Sequence, residues 1–144
     1  MNTVLAGASV IDITSPVGVE MGGYGARKGV ATGIHDNLNV RTLVLDDRTT
    51  KLVIAICDFV GVGPKIVETA REIISRDFNI PPECVCIAAT HTHSGPLTVR
   101  TGDGLDYSTV TAGKIAGSVR VALGNMPSPW LPALHRRRPP REAP

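Results

Sequence analysis

The sequence is poor in aromatic residues and has no long apolar run. Phe, Trp and Tyr make up 3% of the 144 residues, whereas Val, Ile, Ala and Gly are plentiful. Such side chains suit short buried strands packed against small-residue helices, which favours an α/β fold over a helical bundle. No apolar run approaches the ~18 residues that a membrane span needs, and no signal-peptide pattern opens the chain. We therefore expect no membrane span, and cytoplasmic localisation by default.

Cysteine is scarce as well. Cys57, Cys84 and Cys86 lie in apolar runs that resemble buried strands. Their odd number and irregular spacing give no indication of a disulfide framework. The preferred interpretation is that all three are reduced core residues. Because Cys84 and Cys86 would share one face of a strand, a metal-binding role is the alternative.

Outside its last residues the chain also lacks an excess of charge of either sign. The net charge is +2, but four arginines against Glu142 give the tail a charge of +3, which leaves −1 for the rest. The folded part therefore offers no basis for binding nucleic acid or an anionic membrane. Residues 126–144 also hold six of the eleven prolines, so we expect this segment to be a disordered tail after a folded region, 1–125.

The first half of the chain predicts three strands. Val4–Ile13 ends in β-branched residues and stops before Pro16. Leu38–Asp46 alternates between apolar and polar residues, and a turn connects it to Lys51–Asp58, which is apolar almost throughout. These two segments predict a hairpin whose second strand, Leu52 to Cys57, is central and buried on both faces.

The second half predicts two helices around a further central strand. Pro64–Phe78 begins with a first-turn proline and repeats apolar residues at helical spacing, as does Tyr107–Leu123. Cys84–Ala89, between them, is a short apolar strand. Leu52–Ala89 is then a strand–helix–strand unit with parallel strands. The predicted fold class is α/β, a mixed sheet with flanking helices.

Glycine is concentrated between Gly18 and Gly33. This segment holds six glycines, at positions 18, 22, 23, 25, 29 and 33, which is too many for a helix or a packed strand. We interpret it as a loop that makes close backbone approaches. Its spacing fits neither the P-loop nor the dinucleotide-binding fingerprint, so nucleotide binding is not favoured.

Two histidines follow the predicted strand Cys84–Ala89. In an extended backbone His91 and His93 would project to the same side, where their imidazoles could bind one ion or substrate group. Neutral imidazole is a common zinc ligand, but zinc usually takes three or four protein ligands, so the pair is half a site. The alternative is two ordinary loop histidines. Their place at the carboxyl end of a strand favours ligand binding.

Asp58 ends the neighbouring predicted strand. It is the only charge in its region, so it either hydrogen-bonds to a loop or has a functional role. If the two strands are parallel neighbours, Asp58 and His91 lie close together.

Four motifs in order resemble the amino-terminal part of the neutral/alkaline, non-lysosomal ceramidase family, over Val4 to Leu123. Each is short, and their combination and order make the resemblance specific. The motifs are Asp12-Ile13-Thr14-x-Pro16-x-Gly18, Met21-x-Gly23-Tyr24-Gly25-Ala26-Arg27, Gly33-Ile34-His35-Asp36 and Ala89-Thr90-His91-Thr92-His93-Ser94-Gly95-Pro96.

This resemblance implies a zinc-dependent amidohydrolase that cleaves the N-acyl bond of ceramide, giving sphingosine and a fatty acid. It makes His91 a zinc ligand and places His93 in the active site as a catalytic residue. The residues alone allow both histidines to bind metal, so the two interpretations agree on His91 and differ on His93. His35 and Asp58 are candidates for residues around this pair that could complete the site.

The resemblance also implies an incomplete site. The family's other zinc ligands (a histidine, a glutamate and a tyrosine) and its catalytic serine lie beyond the region that this chain matches. Nothing after Gly124 matches, and His135 in the tail is a poor substitute. We therefore expect the amino-terminal portion of a larger catalytic domain, inactive alone. The alternatives are an inactive truncated product and a standalone metal-binding or interaction module; the oligomeric state stays open.

Overall fold

The sheet has four strands in the order β1-β2-β3-β4, and two helices pack against it. The computed structural model describes residues 4–98 and 107–127. Pairing is antiparallel between β1, β2 and β3 and parallel between β3 and β4, which confirms the predicted mixed α/β fold. Most of the tail predicted to be disordered lies outside the described residues. The elements are β1 (Leu5–Asp12), β2 (Asn39–Asp46), β3 (Lys51–Cys57), α1 (Pro64–Phe78), β4 (Val85–Ala89) and α2 (Tyr107–Gly124).

Helix α1 has the bounds that the sequence predicts. Pro64 occupies the first turn, where its missing N–H would have had no helical partner. Asn79 ends the helix in the left-handed conformation, with φ of 53°. Ile66, Ala70 and Ile74 recur every four residues on one face and are fully or almost fully buried. Helix α1 connects the parallel strands β3 and β4, and this buried face packs on them.

Helix α2 approaches β1 and β2 closely. A Cβ atom on Gly7 would lie 2.0 Å from the carbonyl oxygen of Ala122, so only glycine fits at this contact. Ser118 of α2 is fully buried; its hydroxyl accepts a hydrogen bond from Thr42 at 2.6 Å, and its carbonyl accepts one from Ser9 at 2.7 Å. These bonds satisfy polar groups in the interior and fix the helix on the sheet.

The face of the sheet opposite the helices carries exposed apolar side chains. Exposed fractions are 62% for Val10, 37% for Leu43, 40% for Leu52 and 39% for Ile56. The pairing register places these residues on the face that neither described helix covers. The prediction that β3 is buried on both faces is therefore wrong for the described residues, because both helices pack on the same side.

Two further predictions, on the position of strand β4 and on the burial of the cysteines, need correction. Strand β4 was expected to be central, but it is an edge strand of the described sheet. Of the three cysteines only Cys57 is buried; Cys84 is partly buried in a short 3₁₀ turn and Cys86 is exposed. None of the described helices is long and apolar enough to cross a membrane.

Candidate functional site

The two histidines lie in a loop that continues from the carboxyl end of β4. We call residues Thr90–Leu97 the histidine loop. Its first part is hydrogen-bonded to the end of β3 and to the residues just after it. Thr90 donates a backbone hydrogen bond to Cys57 at 3.0 Å, and Thr92 donates one to Phe59 at 3.1 Å. The sequence predicted this position at the end of a parallel strand pair, and the structure confirms it.

The two imidazoles converge, although the backbone is not extended as the sequence argument assumed. His91 adopts a left-handed conformation with φ of 65°, which is uncommon for a residue other than glycine. The Nε2 atoms of His91 and His93 nevertheless lie 3.4 Å apart, and the ring centroids lie 5.0 Å apart. The turn at His91, and not strand alternation, brings them together.

A backbone hydrogen bond sets the tautomer of His91. Its Nδ1 atom lies 2.7 Å from the carbonyl oxygen of Val60, which can only accept, so Nδ1 carries the proton. In the neutral ring the Nε2 atom is then unprotonated, and it can accept a hydrogen bond from Nε2 of His93 at 3.4 Å. A ring nitrogen held in this way is typical of metal-binding histidines, whose other nitrogen donates to a carbonyl or carboxylate.

The separation of the two Nε2 atoms fits zinc. Two nitrogens bound at ~2.05 Å to one tetrahedral zinc ion lie ~3.3 Å from each other, which agrees with the observed 3.4 Å. Within residues 4–98 and 107–127, however, no group of three or more His, Cys, Asp or Glu side chains is placed to hold a metal. The described residues therefore supply two nitrogens of suitable geometry and lack the rest of a zinc site.

A glycine-rich loop lies directly against the histidine loop. We use this name for residues 18–33. Gly22 donates a backbone hydrogen bond to Gly95 at 2.9 Å, and Leu97 donates one to Glu20 at 2.8 Å. Gly23 has φ of 103°, and a Cβ atom there would lie 2.5 Å from Cγ of His93. Glycine at this position thus permits both the turn and the contact with the imidazole.

Comparison with protein families identifies the fold and its ancestry. Residues 4–114 match the family model "Neutral/alkaline non-lysosomal ceramidase, N-terminal". The chain belongs to this ceramidase family.

Two solved ceramidase structures share the fold. Neutral ceramidase from Pseudomonas aeruginosa aligns with a TM-score of 0.75 and 24% identity, over 85% of this chain and 22% of that one. A ceramidase described as complexed with C2 aligns with a TM-score of 0.70 and 22% identity, over 85% and 21% of the two chains. This member of the ceramidase family thus spans about a fifth of the length of these structures. Comparison with curated protein sequences gave no match.

Asp58 is bound to the β2 end of the sheet. Both of its carboxylate oxygens lie 2.8 Å from Nη1 of Arg41, and the backbone N–H of Asn39 donates to it at 3.0 Å. Burial by itself raises the pKa of Asp58, but the hydrogen bonds from Arg41, Asn39 and Thr90 and the charge of Arg41 lower it overall. Its hydrogen-bond partners Asn39 and Arg41 both belong to strand β2. A functional role of Asp58 next to the histidines stays a prediction.

His35 lies on an exposed segment of the chain. Its side chain is 97% exposed, and Nδ1 donates to the carboxylate of Asp36 at 2.7 Å, an interaction that raises the pKa of the imidazole. His35 also lines a cavity of about 410 Å³ together with Thr92 and Ser94, the two neighbours of His93 in the chain. The structure thus places His35 near the histidine loop, and its part in the site also stays a prediction.

Sequence reasoning did not connect the glycine-rich loop with His93. The signal was present in Gly23, Tyr24 and Arg27, which belong to one family-like motif, but one sequence does not show what such a motif contacts. The carbonyl of Val60, which sets the His91 tautomer, carries no sequence signal because any residue provides a carbonyl.

Proposed function

We propose that this chain carries the histidine half of the zinc site of an amidohydrolase that cleaves the N-acyl bond of ceramide. Membership of the ceramidase family supports the reaction and the substrate class. The single observation that supports the metal is the pair of Nε2 atoms 3.4 Å apart, with His91 held in the tautomer whose Nε2 is unprotonated. Ceramide is accordingly the proposed substrate and zinc the proposed cofactor.

His91 is the proposed zinc ligand. Its Nδ1–H bond to Val60 leaves Nε2 unprotonated without any change of the surrounding structure. A zinc ion held there by His91 would polarise an amide carbonyl and lower the pKa of bound water toward neutrality, so that water could act as the nucleophile without a strong base.

His93 is the proposed acid–base residue. Its ring lies beside that of His91 and is partly buried, so it can hold a proton at Nε2 close to the scissile bond. From there it can transfer that proton to the leaving nitrogen of sphingosine or donate a hydrogen bond to the developing oxyanion. The same geometry also allows His93 to be a second ligand, and the experiment below distinguishes the two roles.

The proposal requires further ligands from elsewhere in a family-length protein. Two histidines leave a tetrahedral zinc ion without one or two of its usual three or four protein ligands, and the chain corresponds to 21–22% of the solved ceramidases. Alone, it should therefore bind zinc weakly and hydrolyse no amide. The second candidate is a truncated, non-enzymatic product that keeps the fold; it is favoured because no group of three His, Cys, Asp or Glu side chains among the described residues is placed to hold a metal.

The test is a zinc titration of the 144-residue chain by calorimetry, together with NMR of the imidazole nitrogens. His91→Asn is the variant of choice, because asparagine tolerates the left-handed backbone at this position and is a poor zinc ligand. It should abolish the weak zinc binding. His93→Ala should retain most of it if His93 is catalytic, and should also lose it if His93 is a ligand.

His135→Ala is the matched control, a histidine of the tail that the sequence makes a poor candidate for a missing ligand. It should leave the zinc affinity unchanged. Zinc binding that survives His91→Asn, or that falls equally in His135→Ala, would contradict the proposed role of His91.

A further inference from the structure

Arg27 connects the two loops around His93. Its Nη2 atom donates to the carbonyl oxygen of His93 at 3.1 Å, and Nη1 donates to that of Gly22 at 3.3 Å. One guanidinium thus binds a carbonyl in each loop. The planar fork of arginine suits this task, because its donors point in fixed directions, whereas lysine offers a single ammonium group.

Tyr24 contacts both the imidazole of His93 and the guanidinium of Arg27. Its ring is edge-on to His93, with centroids 5.0 Å apart and an interplanar angle of 85°. The guanidinium carbon of Arg27 lies 4.9 Å from the centroid of the same tyrosine ring, within the range of a cation–π interaction. Tyr24 is thereby held between the guanidinium and the imidazole.

These contacts bear on the orientation of His93 more than on the stability of the fold. Arg27 and Tyr24 lie outside the two buried clusters of the core. Arg27 donates to the carbonyl of His93, Tyr24 contacts its ring edge, and Gly23 lies so close to the ring that a Cβ atom there would clash with it. The Nε2 atom of His93 faces that of His91 at 3.4 Å.

We propose that Arg27 is a positioning residue for His93: with Tyr24 it holds the imidazole so that Nε2 faces His91. This inference rests on the proposed function for its catalytic meaning, but the geometry can be tested without zinc or substrate. Losing Arg27 removes one hydrogen bond from each loop and the cation that packs on Tyr24. The His93 ring is then free to rotate away from His91.

The experiment is NMR of the metal-free 144-residue chain. In wild type, the ring protons next to the Nε2 atoms of His91 and His93 should give a nuclear Overhauser cross-peak. Arg27→Gln should abolish this cross-peak and shift the His93 ring signals, while amide signals of β2, β3 and α1 stay in place. Arg27→Lys should restore the cross-peak only in part, since it keeps the charge and loses the fork.

Lys28→Gln is the matched control, because it removes the same charge one residue away from an exposed side chain. It should reproduce the wild-type spectrum. Tyr24→Leu provides a second variant that removes the aromatic contact and leaves both carbonyl bonds, and it should shift the His93 ring signals as well.

An unchanged His91–His93 cross-peak in Arg27→Gln would overturn the proposal. A general loss of the folded spectrum in both Arg27→Gln and Tyr24→Leu would also overturn it, because these residues would then be needed for folding and not specifically for the orientation of His93. If the proposed function is wrong but this inference is right, the result is different: Arg27→Gln still abolishes the cross-peak, but zinc binding does not depend on His91.

Discussion

The helix-covered core and the histidine end of the sheet are held together in different ways. In the core, Val44, Val53 and Val85 pack with helix residues such as Ile74 and Val119, all of them fully or almost fully buried. At the histidine end, two loops are joined by a few backbone hydrogen bonds, a glycine contact and one arginine. The core is therefore stabilised by the burial of many side chains, whereas the position of the histidines depends on a few local contacts.

The largest expected effect lies in the core. Ile74→Ala leaves a cavity in a fully buried position, and such a substitution typically costs about 2–5 kcal/mol of unfolding free energy. The histidine ring signals should keep their positions until the whole chain unfolds. Denaturant unfolding followed by circular dichroism measures the loss.

Ile56→Ala is the control for this comparison, since Ile56 is 39% exposed on the open face of the sheet. It should cost clearly less than Ile74→Ala. Equal losses would show that the open face is covered in solution, and the contrast between the two regions would then fail.

An intermediate effect is expected at the contact between the loops. Gly23→Ala places a side chain at φ of 103°, 2.5 Å from Cγ of His93. Left-handed strain of this kind costs about 1–3 kcal/mol, and here it should also move the imidazole. Gly25→Ala, in the same motif but with open space around its Cβ position, should be nearly neutral. If Gly23→Ala left the His91–His93 cross-peak intact, the close contact would not be what orients His93.

A smaller, pH-dependent effect is expected for Asp58. Its folded pKa lies below the ordinary value of 3.8, so its stabilising contribution is fully present above that value and is lost as the pH falls through the folded pKa. Asp58→Asn should cost about 1 kcal/mol at neutral pH, because its partner Arg41 is half exposed. The difference from wild type should vanish in strong acid.

Unfolding free energies across an acid pH series test this prediction. Glu68→Gln, at an exposed carboxylate of α1, should match wild type throughout. A difference between wild type and Asp58→Asn that persists unchanged below the folded pKa would mean that the carboxylate charge is not what stabilises the β2 end.

The elements that could be predicted from the sequence are those with a local signal. Pro64 and the four-residue apolar repeat gave helix α1 its bounds, and the apolar runs gave the strands of the hairpin and the crossover. The apolar run Cys84–Ala89 followed by a polar loop predicted that the histidines come just after the end of a strand, because both the strand and the loop have local sequence signals.

The features that could not be predicted depend on residues distant in the chain. An apolar run does not indicate whether one or both faces of its strand will be covered. For this reason Cys86 and Ile56 are predicted to be buried, whereas the structure leaves both exposed. The left-handed turn at His91 and the bond between Arg27 and His93, 66 positions apart, arise from tertiary packing and have no periodic signal.

The proposed function is that this chain holds half of a zinc amidase site. The most direct measurement combines a zinc titration of the wild-type chain with an assay of fatty-acid release from an N-acyl sphingosine at saturating zinc. We expect weak zinc binding through His91 and no hydrolysis above background. Tight, stoichiometric zinc binding with measurable hydrolysis by the chain alone would contradict it, because two imidazoles cannot provide a complete site.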